Sequence, residues 1–167
     1  MNQSLPAEGL TLACLQLNVV GEAKRNWQTF DALVRQAAAA GAQLIVTPEC
    51  SNFIGLDRQA TWNEARSEEQ DLHLAGARAL AQELGVWIVL GSRVIKDPDA
   101  ERLSNRQFLI APDGQIAARY DKIHLLDVRL PGGEIYHENR SYAPGHARRV
   151  TPLGSSQKAP WTLGHSI

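Results

Sequence analysis

The run Leu44-Ile45-Val46-Thr47-Pro48-Glu49-Cys50 constrains this chain more than any other stretch. A continuous apolar, β-branched segment reads as a strand covered on both faces, and a proline cannot continue the ladder of a central strand. The strand must end near Thr47 and deliver the Glu49 carboxylate just past its C-terminal end. Ligands bind at that edge in open α/β sheets. Glu49 is thus a candidate for chemistry, to be weighed against an ordinary solvated loop charge.

The pattern around it sets the class. Residues 10–19 read as a buried strand that Gly21 breaks. Trp27, Phe30, Val34 and Ala37 then recur at helical spacing, with Leu33 beside them, and Gly41 is a natural stop. After an irregular stretch to about Arg66, Ser67 offers an N-cap with Gln70 three residues on. Leu72, Ala75, Ala79 and Leu84 follow on a helical face that Gly85 closes, and residues 86–90 form another apolar strand, stopped by Gly91. Strand, helix, strand, helix, strand is an α/β arrangement with parallel strands and right-handed crossovers. The character then changes. Lys96-Asp97-Pro98-Asp99 is a turn, and strands over 107–111 and 115–120 join around Pro112-Asp113-Gly114. Residues 130–146 read as a long ordered loop, 151–159 as polar and turn-rich, and Trp161 to Ile167 as the beginning of another strand.

Composition narrows the function classes. With 167 residues, 44% hydrophobic, 21% charged and a formal net charge of -1, the chain suits one globular domain with a sizeable core. No basic excess points to nucleic acid, and no apolar run approaches the roughly 18 residues of a membrane span. Residues 1–9 lack a positive segment followed by an apolar core, so they read as an extension before a domain over 10–167, not as a signal peptide. Cys14 and Cys50 are too few for a disulfide scaffold and fit a reducing, cytoplasmic location. His73, His124, His137, His146 and His165 show neither i, i+4 spacing nor an H-E-x-x-H pattern, so no metal site is expected. Gly164-His165-Ser166 could open a G-x-S-x-G serine elbow, but the acid and histidine of that fold would have to follow it.

Five local motifs carry a family resemblance: Ala13-Cys14-Leu15-Gln16-Leu17-Asn18; Thr47-Pro48-Glu49; Tyr120-Asp121-Lys122-Ile123-His124-Leu125; Glu138 four residues before Tyr142-Ala143-Pro144-Gly145; and Leu163-Gly164-His165-Ser166-Ile167. In this order and spacing they resemble the first half of the nitrilase superfamily, the carbon–nitrogen hydrolases. The Pro131-Gly132-Gly133-Glu134 loop further resembles the amidase branch that includes omega-amidases and deaminated-glutathione amidases.

The resemblance implies part of a four-layer αββα sandwich and hydrolysis of a small carboxylic amide by a Cys-Glu-Lys mechanism, without cofactor or metal. Glu49 would be the general base, Lys122 the stabiliser of the oxyanion, and Glu138 the residue that holds Lys122 or orients substrate. The family's nucleophilic cysteine follows the residue matching Ile167. The 167 residues are therefore expected to stop short of it and to be inactive alone. Cys50, next to Glu49 at a strand end, is expected to face away from the site, and Cys14 to be a small core residue. An inner sheet face left without partners implies a homodimer, or pairing with an intact homologue. The alternative is a catalytically dead relative that acts as a dimerisation or regulatory partner. Residues 144–163, with Arg148, Arg149 and Ser155-Ser156-Gln157-Lys158, depart from the compact strand–turn–strand expected before the nucleophile.

Overall fold

The computed structural model describes residues 9–55, 57–154 and 161–167. Residues 1–8 of the extension and the Ser155-Ser156-Gln157-Lys158 stretch lie outside them. The elements in order are β1 (Leu12–Cys14), α1 (Ala23–Ala39), β2 (Leu44–Val46), α2 (Arg58–Glu64), α3 (Leu72–Leu84), β3 (Trp87–Ile95), β4 (Leu103–Ile110) and β5 (Ile116–Asp121). There follow β6 (Asp127–Arg129), β7 (Ile135–His137), a 3-10 turn (Glu138–Arg140), β8 (Tyr142–Ala143), β9 (Val150–Pro152) and β10 (Thr162–Gly164). The α/β class holds.

The main sheet runs β1-β2-β3-β4-β5, with β8 beside β4 beyond the end of β5. β1, β2 and β3 are parallel, whereas β3, β4 and β5 are antiparallel neighbours, β4 and β5 being joined by the short turn at Pro112-Asp113-Gly114. Helices α1 and α3 cover one face. Phe30, Val34 and Ala37 of α1 meet Leu74, Ala77, Leu80 and Ala81 of α3 over Ile45, Ile88, Leu90, Phe108 and Ile110. Each fully buried large side chain there contributes about 1.5–3 kcal/mol. On the opposite face Leu44, Trp87, Val89 and Leu109 pack against Leu153, Trp161 and Leu163, from the antiparallel β9–β10 pair and its borders. A second sheet therefore begins on the inner face, and residues 144–163, expected to depart from a strand–turn–strand, contain β9 and the start of its antiparallel partner β10.

Four expectations need correction. Helix α3 begins at Leu72, not after Ser67. Asp71 caps it by accepting from His73 N and Leu74 N, and the buried Arg93 anchors that carboxylate. The buried face differs from the expected one: Leu72 is 86% exposed, and Leu74, Ala77, Leu80 and Ala81 face the core instead of Leu72, Ala75 and Ala79, while Leu84 packs against it as expected. Residues 58–64, read as irregular, form α2, capped by Asp57. Strand β3 does not stop at Gly91 but continues through a register shift between Leu90 and Arg93. Strand β1 is three residues long and lies at the sheet edge, so Cys14 is exposed and is not a core residue.

Candidate active site

The irregularity in β3 is what positions Glu49. Past β2 the chain is laced to the Gly91-Ser92 bulge: Gly91 N donates to Thr47 Oγ1 (3.0 Å), Cys50 N to Ser92 Oγ (2.9 Å) and Ser51 N to Ser92 O (3.2 Å). A Cβ on Gly91 would come within 2.0 Å of Thr47 O, so only glycine allows this approach. Glu49 is thereby held over the end of the neighbouring strand pair.

Lys122 arrives from β5. Its backbone N donates to Asn105 O (2.9 Å) and its carbonyl accepts from Gly145 N (2.8 Å), so both of its main-chain groups are fixed. A Cβ at Gly145 would lie 2.2 Å from Asp121 O, which explains the glycine of the Pro144-Gly145 pair. Alternation along the strand puts Lys122 on the same face as Tyr120, away from the helices. Glu138 sits on the 3-10 turn after the β6–β7 hairpin, tied to Leu126 twice. Glu138 N donates to Leu126 O (3.1 Å), and Glu138 Oε2 accepts from Leu126 N (2.6 Å).

The three side chains named from the sequence converge. Lys122 Nζ donates to Glu49 Oε1 at 2.9 Å and lies 3.0 Å from Glu138 Oε2. The Lys122 side chain is 10% exposed, whereas that of Glu49 is 43% exposed. Burial works against the Lys122 charge, but its hydrogen bonds to Glu49 and Glu138 outweigh burial and hold the ammonium above the ordinary lysine range. An ammonium has three protons. Two carboxylates engage it here, which leaves donor capacity for a third acceptor.

A fourth residue escaped the reading of the sequence. Asn105 Nδ2 donates to Glu49 Oε1 at 2.6 Å. That oxygen therefore receives both Asn105 and Lys122, while Glu49 Oε2 accepts no hydrogen bond among the described residues. The carboxylate is asymmetric: one oxygen is locked, the other free to take a proton. Asn105 Oδ1 is buried and unpartnered, a cost of the kind found at functional sites. The available signal was a polar residue in alternation with Leu103, Gln107 and Leu109 on one face of an otherwise buried strand.

The cysteines do not complete the group. Cys50, at a φ of 50°, packs with Phe53, Ala65, Val94 and Leu103. Burial, with the nearby Glu49 charge, pushes its thiol up to about 11, so the reactive thiolate is scarce at neutral pH. Cys14 lies on the edge strand β1 and makes no described bond to the group. Among the described residues no cluster of three or more His, Cys, Asp or Glu could hold a metal ion. Two histidines serve the frame, His165 buried and His73 partly so. His73 contacts Arg93 and packs edge-on against Trp27 and Phe30, and His165 bonds to Gln107. Among the described residues, no helix is long and apolar enough to cross a membrane.

A positioned carboxylate beside a charge-stabilised lysine suits proton transfer coupled to oxyanion stabilisation. Comparison with known proteins gives the family. The Carbon-nitrogen hydrolase family profile matches residues 11–164. Omega-amidase NIT2 from Homo sapiens is 31% identical over 135 residues, covering 80% of this chain and 47% of that protein. Deaminated glutathione amidase from Homo sapiens is 33% identical over 137 residues, covering 80% and 42%. The crystal structure of the Caenorhabditis elegans NitFhit protein superposes with a TM-score of 0.72 at 26% identity, over 87% of this chain and 37% of that one. The chain thus spans less than half the length of these relatives. With the profile matched over nearly its whole length and the same fold in a solved relative, the chain belongs to the carbon–nitrogen hydrolase family.

Proposed function

We propose that these residues supply the proton-transfer and oxyanion-stabilising half of an amidase site that hydrolyses small carboxylic amides, with release of ammonia or an amine. The observation that carries this reading is the shared oxygen Glu49 Oε1, held by Lys122 and Asn105 while Oε2 accepts no hydrogen bond among the described residues. In this mechanism Oε2 accepts the proton of an attacking thiol and passes it to the leaving amine. It later takes one from the water that releases the acyl group. Lys122 donates a hydrogen bond through its remaining N–H to the oxygen that becomes an anion, and Glu138 keeps the ammonium charged and aimed. No cofactor or metal enters these steps.

The nucleophile in this reading is a cysteine directly after Ile167 in the complete domain. Gln107 holds the Ser166 carbonyl at 2.9 Å, two positions along β4 from the Asn105 that grips Glu49. That brings the 165–167 segment to the same sheet face as the acid. The similarity to omega-amidase and deaminated glutathione amidase favours small ω-amides as substrates. Exposed Leu126, Ile135, Tyr136 and Val150 favour a homodimer or pairing with an intact relative, which sedimentation reads directly. A cytoplasmic location fits two free cysteines. The test is ammonia release from small ω-amides by the 167 residues alone: none is expected, and turnover abolished by alkylating Cys50 would overturn the assignment of the nucleophile.

A further inference from the structure

The inner face of β4 carries a polar chain that the Glu49–Lys122 chemistry does not use. Gln107 is buried, and its amide has one self-consistent orientation. Nε2 faces two carbonyls, Ser166 O at 2.9 Å and Gly91 O at 3.4 Å, so it donates to both. Oε1 then faces His165 Nδ1 at 2.7 Å and must accept from it, which places the imidazole proton on Nδ1. His165 Nε2 is left as an acceptor, and Thr151 Oγ1 donates to it at 3.0 Å. Every polar atom of Gln107 and His165 side chains is used.

Such a chain is costly in this place. Leu109, Leu153 and Leu163 surround the same face, and an apolar pair would pack there without polar atoms to satisfy. What the polar pair adds is geometry. Residues two apart on a strand lie on one face, about 7 Å apart along it. Asn105 takes Glu49 and Gln107 takes the main chain at Ser166, so β4 fixes the spacing between the acid and the 165–167 segment. Gln107 also reaches Gly91 O, at the bulge that carries the Glu49 segment.

We propose that Gln107 is a positioning residue: held by the Thr151–His165 chain, its amide clamps the main chain at Ser166 at a set distance from Glu49. This deepens the amidase reading and rests on it for its catalytic meaning, but the clamp itself is measurable without turnover. In 15N NMR of the wild-type chain, His165 should be the Nδ1–H tautomer. Gln107→Met removes both halves of the amide. His165 should switch to the Nε2–H form, and exchange of its backbone amide, bonded to Arg149 O, should accelerate about tenfold. The Lys122 amide, bonded to Asn105 O, should exchange at the wild-type rate. Gln107→Glu keeps the acceptor for His165 and loses the donor to Ser166, so it should retain the Nδ1–H tautomer while the 165–167 segment loosens. It also covers the case in which Gln107→Met fails to fold. In the complete domain Gln107→Glu should lower kcat about tenfold with KM unchanged. An Nδ1–H tautomer retained in Gln107→Met overturns the proposal, as does equal loosening at Lys122 and His165, or loosening with an unchanged kcat. Failure of the amidase reading shows differently: Glu49→Gln would hydrolyse amide normally while the His165 tautomer and exchange pattern stay as proposed.

Discussion

Two buried cations in this chain sit in opposite situations. Arg93 is 1% exposed and its partner Asp71 is 7% exposed. Asp71 accepts from Arg93 Nη2 at 2.6 and 2.7 Å, from Arg93 Nε at 3.2 Å, and from His73 N and Leu74 N at 2.9 Å each. Every acceptor direction is occupied, and the pair joins the start of α3 to β3. Lys122 is largely enclosed too, but its partner Glu49 opens to solvent with one oxygen unengaged among the described residues. A saturated carboxylate can only hold structure. One with a free edge beside a fixed cation can also move a proton.

That contrast can be broken most forcefully at Asp71. Asp71→Ala should strand a buried guanidinium and remove a helix cap, lowering unfolding stability by about 3–5 kcal/mol in urea titration. Lys122→Met should do the reverse. In the complete domain amide turnover should fall about 10²–10³-fold, while the urea midpoint of the chain shifts by less than that of Asp71→Ala. Equal stability losses in the two variants would erase the distinction.

Two smaller effects sharpen it. Burial, then the Arg93 charge, pushes His73 down to about 3, so it is neutral in the fold and titrates near its ordinary value once unfolded. A folded value below the unfolded one means stability is present above about pH 6.5 and lost as pH falls towards 3, at up to about 1.4 kcal/mol per pH unit. His73→Gln should flatten the acid limb of a urea-midpoint series between pH 7 and 4. Asn105→Leu removes the lock on Glu49 Oε1 and should cost about 10- to 100-fold in kcat, in line with a hydrogen bond to a charged group. Asn105→Leu with wild-type kcat would show that Lys122 alone orients the acid.

The two regions also differ in how far the sequence reveals them. Glu49, Lys122 and Glu138 sit in local motifs, and each local signal marks a main-chain constraint: the proline that ends β2, and the glycine that must pass Asp121 O. The framework around Arg93 left no such trace. Asp71 outcompetes Ser67 as helix cap because a residue 22 positions later on β3 anchors its carboxylate. Gly91 reads locally as a strand stop, yet its missing side chain admits Thr47 O and the strand continues. Asn105 lay outside the strand expected over 107–111. A strand face turned towards a polar site loses the apolar alternation by which strands are recognised. Cys14 reads as core because β1 is apolar, but an edge strand has only one neighbour to cover it.

The measurement that bears most directly on the account is ammonia release from a small ω-amide by the complete domain, with Glu49 intact and with Glu49→Gln. A fall of about 10²–10³-fold is expected, with the fold and the Lys122 position retained. Hydrolysis by Glu49→Gln at the wild-type rate would contradict it.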